Sequence, residues 1–175
     1  MDIVTRLYSG YRRDLRPVAA ATVLVGLFNL SFVAFLVAIR ATGRAIPREI
    51  RTRDLVLAGV ATYRLSRLLA KDEVTAFLRA PFTRLVGPPN EAGEVEEEPR
   101  GSGLQREIGE LLTHPLSIGQ WVATAFIYGM VLAPRVTRLV ASVFTASAIA
   151  DLLQYSTNGL RESARSNPAE GAQAG

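Results

Sequence analysis

At 175 residues, 49% of them hydrophobic, the chain is long enough for one domain. It has no cysteine and a single histidine, His114, which excludes disulfides, thiol catalysis and Cys-ligated zinc and leaves little for histidine acid–base chemistry. The net charge of +4 comes from 20 basic and 16 acidic residues. The basic residues flank apolar segments and form no patch with aromatics, so nucleic acid is not an expected partner.

Nineteen of the 20 basic residues are arginine, a bias that, with much Ala, Gly and Val, fits a GC-rich bacterial genome. Residues 1–17 form a basic N-terminal segment. Val18 to Ile39, "VAAATVLVGLFNLSFVAFLVAI", is 22 residues without a charge. At ~1.5 Å per residue it reaches ~33 Å, enough for a ~30 Å hydrocarbon core. It exceeds the apolar region of a secretory signal, so a retained transmembrane helix is expected. Asn29 near its middle is either a tolerated polar residue or an interhelical hydrogen-bonding group.

Leu55 to Ala70 is the second apolar stretch, only ~24 Å long as a helix, and it contains Arg64 and Arg67. A central arginine costs roughly 2.5–3.5 kcal/mol on insertion scales, whereas each Leu or Val returns about 0.3–0.6. Arg67 lies close enough to Lys71 to snorkel; Arg64, ~10 Å deeper, needs a partner.

Glu73 to Gly87 predicts a short amphipathic helix on the membrane surface, with Val74, Phe77 and Leu78 on one face. "GPPNEAGEVEEEPRGSG" predicts an exposed, solvated acidic loop. "LQREIGELL" places Leu104, Ile108, Leu111 and Leu112 on one face of a second amphipathic helix. Pro115 to Pro134 and Val136 to Tyr155 predict two further spans joined in an antiparallel hairpin. Ser142, Ala146 and Ala150 repeat at i, i+4, i+8 and form the expected helix-packing face, since small residues let backbones approach in lipid. The tail, 156–175, is small and polar and reads as disordered.

The expected fold class is therefore all-α: an integral membrane helical bundle of four transmembrane helices, with short amphipathic interfacial helices in the middle loop. Four spans place both termini on one side. That side carries eleven basic residues against seven, which favours cytoplasmic termini in a bacterial inner membrane.

Three stretches carry a family resemblance: "LAGVATYRLSRLLAKDEVTAFLRAPFTR", the acidic "GEVEEEPRGSGLQREIGELLTHPLSIGQWVA", and "LVLAPRVTRLVASVFTASAIADLLQY". In this order they resemble the DUF1360 family of small bacterial membrane proteins, some described as sporulation proteins. The resemblance covers 55–155 and leaves the first span, 18–39, as an extension. It implies a membrane location and no mechanism. Family members usually carry Cys-Pro-x-Cys before a Trp; here His114 and Ser117 stand at the cysteine positions, with Trp121 retained. His plus Ser cannot form a disulfide and makes a poor metal site, so chemistry of that kind would be lost here. Read without the resemblance, His114–Pro115 is a helix start.

No nucleophile elbow, P-loop, zincin or dinucleotide motif is present, and neither an enzyme nor a cofactor is expected. The intramembrane polar cluster is Arg64, Arg67 and Asp151, read either as structural pairing or as a path for a proton, ion or anionic headgroup. Three functions follow. The first is a structural or accessory membrane component associating with itself or other membrane proteins. The second is a minimal transporter or lipid-interacting factor. The third is a single-span anchor carrying a soluble helical domain.

Overall fold

The computed structural model describes residues 16–90 and 93–166, with side-chain environments over 21–90 and 93–159. Most of the 1–17 segment and the end of the tail, 167–175, lie outside the described residues.

The long uncharged run forms α1, Arg16–Thr42. It ends at Gly43, whose φ of +63° suits the left-handed position after a helix, with Gly43 N–H donating to Arg40 O and Arg44 N–H to Ile39 O. Asn29 donates to Val25 O within its own turn at 2.9 Å, a local bond that engages its amide.

α2, Thr52–Lys71, is a 20-residue helix, ~30 Å at helical rise. Small residues line its buried side: Ala58, Ala61, Ser66 and Ala70. They pack against Ile118, Val122 and Phe126 of α5 (Pro115–Leu132) and Ala141 of α6 (Pro134–Ser166). Ala61 and Ala141 are fully buried.

The contacts fix the helix directions. Asp54 near the start of α2 meets Arg138 near the start of α6, and Arg64, further along α2, meets Asp151, so these two helices run parallel. Gly119 of α5 lies against Ser66, and α5 ends where α6 begins, so α5 runs the opposite way. Phe28 meets Trp121 edge-on at 5.2 Å, and Phe35 stacks on Tyr128 at 4.0 Å, so α1 runs parallel to α5. Neighbours in sequence thus alternate in direction.

Among the described residues, three helices are long and apolar enough to cross a membrane: Ala21–Thr42, Pro115–Leu132 and Pro134–Gly159. The expectation was four. By composition α2 is not among them, because Arg53, Asp54, Arg64, Arg67 and Lys71 lower its hydropathy.

The segment after α2 differs most from expectation. A 3-10 turn, Glu73–Thr75, leads into a short α3, Ala76–Arg79. β1, Thr83–Leu85, then pairs antiparallel with β2, Glu97–Pro99, in the register Thr83↔Pro99, Arg84↔Glu98, Leu85↔Glu97. The fold is mostly helical but not purely so. The acidic loop is not simply solvated: the Glu97 side chain is buried, and Val95 N–H donates to Lys71 O, which ties the loop to the end of α2. Val74, Phe77 and Leu78 are exposed together, as expected of a surface that meets lipid.

Arg79, fully buried, organises this cap. Nε and Nη2 donate to the two oxygens of Glu97 at 2.9 and 3.0 Å; Nη1 donates to Leu69 O and Thr75 Oγ1, and Nη2 also to Asp72 O. All five guanidinium N–H groups are used, two of them on carbonyls at the end of α2 that the helix itself leaves open.

α4, Leu104–Thr113, is the expected amphipathic helix; it packs on β2 and also touches α1. Gly109 is required there, since a Cβ would lie 2.5 Å from Phe82 O. His114 is the N-cap position of α5, with Pro115 at the first helical position. At the other end α6 continues to Ser166, well into the tail expected to be disordered from Ser156. Residues 156–166 simply extend the helix that Pro134 begins.

Candidate functional site: a charged cleft at the end of the second helix

Arg64 projects from the last two turns of α2 toward α6, and Arg67 toward Glu94. They help line a cleft of about 1060 Å³ together with Tyr63, Asp72, Glu94 and Asp151. Arg64 Nε lies 2.9 Å from Asp151 Oδ2 and donates to Ser147 Oγ at 3.1 Å. Arg67 Nε donates to Glu94 Oε1 at 2.7 Å, and its Nη1 to Tyr63 Oη at 3.3 Å.

The structure therefore brings Arg64 and Asp151 together and gives Arg67 a different partner. Glu94 comes from the acidic loop, and no spacing rule links it to α2. Asn90 and Asp72 place it: Asn90 Oδ1 accepts from Glu94 N–H at 2.9 Å, Asn90 O accepts from Gly93 N–H at 2.9 Å, and Asp72 and Glu94 form an isolated antiparallel bridge. This swings the acid over the end of α2.

A second pair missed from the sequence clamps the other end of α2. Arg138 holds Asp54 through two bonds, Nε to Oδ1 at 3.1 Å and Nη2 to Oδ2 at 2.8 Å. Thr145 Oγ1 adds a bond to Leu57 O at 3.1 Å. The available signal was a lone acid just before one apolar stretch and an arginine just inside another.

Ser142, Ala146 and Ala150 are exposed and do not form the contact with α2. The face of α6 turned to α2 is offset around the helix and carries Arg138, Ala141, Thr145 and Asp151. His114 and Ser117 are exposed and share only the backbone bond from Ser117 N–H to His114 O. Among the described residues no group of three His, Asp or Glu side chains has the geometry to hold a metal ion.

Among the described residues the cleft brings two guanidinium groups beside three carboxylates. A family model described as "Protein of unknown function (DUF1360)" matches residues 57–157, more than half of the chain. Neither the curated proteins nor the solved structures contain a match to it.

Proposed function

Because the chain belongs to the DUF1360 family, whose function is unknown, we propose a role from its architecture: a four-span membrane protein that serves as a structural component and self-associates in the bilayer. One observation carries this reading. α2 places its small-residue side against two membrane-length helices, and its embedded arginine meets an acid within the chain. Pairing inside the protein offsets the cost that excludes α2 as an independent span. Its ~30 Å length matches the hydrocarbon core.

The outward faces support the same reading. Val23, Leu27, Leu30, Val37, Leu139 and Leu152 are exposed large apolar residues on α1 and α6. Such faces are costly in water and ordinary in lipid. They weigh against a single-span anchor with a soluble domain, which would leave α6 in water. With four spans the cap and both termini share one side, and the basic excess there favours the cytoplasm.

Self-association is assigned to the exposed Ser142, Ala146 and Ala150 face of α6, which leaves backbone approachable by a second helix. A single cysteine at Ala146 is expected to cross-link two copies in native membranes, whereas one at Leu152, exposed but about 120° round the helix, forms markedly less dimer. A monomer at both positions rules out this contact.

A further inference from the structure

We propose that the cleft at the end of α2 binds the phosphoethanolamine headgroup of a membrane phospholipid. This rests on the four-span reading, which puts the cleft at the depth where headgroups meet acyl chains.

The argument begins with unused valences. Arg64 is engaged only through Nε, so both terminal nitrogens lack an acceptor among the described residues. Arg67 uses Nε and Nη1, and its Nη2 has none. Asp151 is engaged through Oδ2, Glu94 through Oε1 and Asp72 through Oδ1. The second oxygen of each carboxylate has no donor among the described residues. The cleft thus presents open guanidinium edges beside open carboxylate oxygens, and the two kinds of group are interleaved.

A purely anionic ligand meets the guanidinium edges but also three carboxylates. A simple cation meets two arginines. A zwitterion satisfies both sets: a phosphate diester accepts from the guanidinium nitrogens, and an ammonium donates to the free carboxylate oxygens. The ammonium must carry N–H groups to do so, which selects ethanolamine over choline. The volume, about 1060 Å³, accommodates a headgroup and glycerol. Val60, Ile149 and Leu152 on the walls suit the first acyl carbons. A polar cleft of this size in a bilayer is filled by lipid or by water, and its mixed lining favours an amphiphile.

Dioctanoyl phosphatidylethanolamine, added to the purified full chain in detergent and followed by native mass spectrometry, tests the assignment. One lipid per chain should bind at least tenfold more tightly than dioctanoyl phosphatidylcholine or phosphatidylglycerol. Soluble glycerophosphoethanolamine should bind at least tenfold more weakly than the lipid. The double variant Arg67→Gln/Glu94→Gln removes both halves of the outer pair without stranding a charge; it should lose at least tenfold in affinity with an unchanged unfolding temperature. If that variant does not fold, the headgroup panel on the unaltered chain decides alone. Equal binding of the three lipids, preference for phosphatidylglycerol, or wild-type affinity in a folded double variant overturns the proposal, as does equal binding of the soluble ester. The two readings fail separately: loops mapping to opposite sides without headgroup selectivity sink only this inference, whereas selectivity with loops on one side sinks the four-span reading.

Discussion

Glu97→Ala is expected to detach the cap from the end of α2 and to cost about 3–5 kcal/mol, the range for stranding one member of a buried ion pair. Glu97 supplies both carboxylate oxygens to Arg79 and also accepts from Thr83 Oγ1 at 2.7 Å. Without it a fully buried guanidinium loses two of its five bonds and its only counter-charge among the described residues. The chain would escape by swinging Arg79 into water, which breaks its bonds to Leu69 O and Asp72 O and frees the 83–99 hairpin. Limited proteolysis within 87–103 reads this directly, with rapid cleavage expected in Glu97→Ala and protection in the parent chain. Equal protection in both means that Arg79 does not hold the cap. Replacing Arg79 and Glu97 together with apolar residues is expected to recover part of the loss, because the cost lies in the unpaired charge.

Asp151→Asn has the second-largest expected effect, about 2 kcal/mol, the range for a hydrogen bond to a charged group. Arg64 then keeps Ser147 as its remaining partner, and if α2 spans the bilayer an unpaired arginine there is costly. The variant should melt earlier in detergent, and α2 should become more accessible near Arg64. The double variant Arg64→Leu/Asp151→Leu separates a structural pair from one that only snorkels. If the pair exists to seat α2, removing both charges restores or exceeds the original stability. If Arg64 reaches headgroup depth unaided, Asp151→Asn alone changes nothing.

The helices were legible wherever one physical signal dominated. A 22-residue uncharged run admits little but a spanning helix, and α1 covers it. Pro115 and Pro134 begin α5 and α6 because proline suits the first helical turn and interrupts a continuing one. Insertion cost singled out Arg64, and Asp151 was a candidate partner because it is the acid within the fourth apolar stretch; the structure places the two 2.9 Å apart.

What the sequence concealed depends on pairing across distance. An acidic run reads as solvated unless its partners are known, and those partners lie on α2 and α3. The β1–β2 register joins two three-residue strands whose alternation is too short to detect. That register is what puts the Glu97 side chain inside, against Arg79. The small-residue face of α6 was chosen by its repeat, yet the helix turns a different side to α2. There Thr145 and Arg138 find partners, and a spacing rule contains no information about partners on another helix.

Side-specific labelling of single cysteines in the 43–51 loop and the 93–103 segment, in intact and permeabilised membrane preparations, tests the central claim most directly. If α2 spans the bilayer, a membrane-impermeant thiol reagent labels the two positions from opposite sides. Labelling of both from the same side contradicts the four-span architecture, returns α2 to the membrane surface, and leaves Arg64 with no embedding cost for Asp151 to offset.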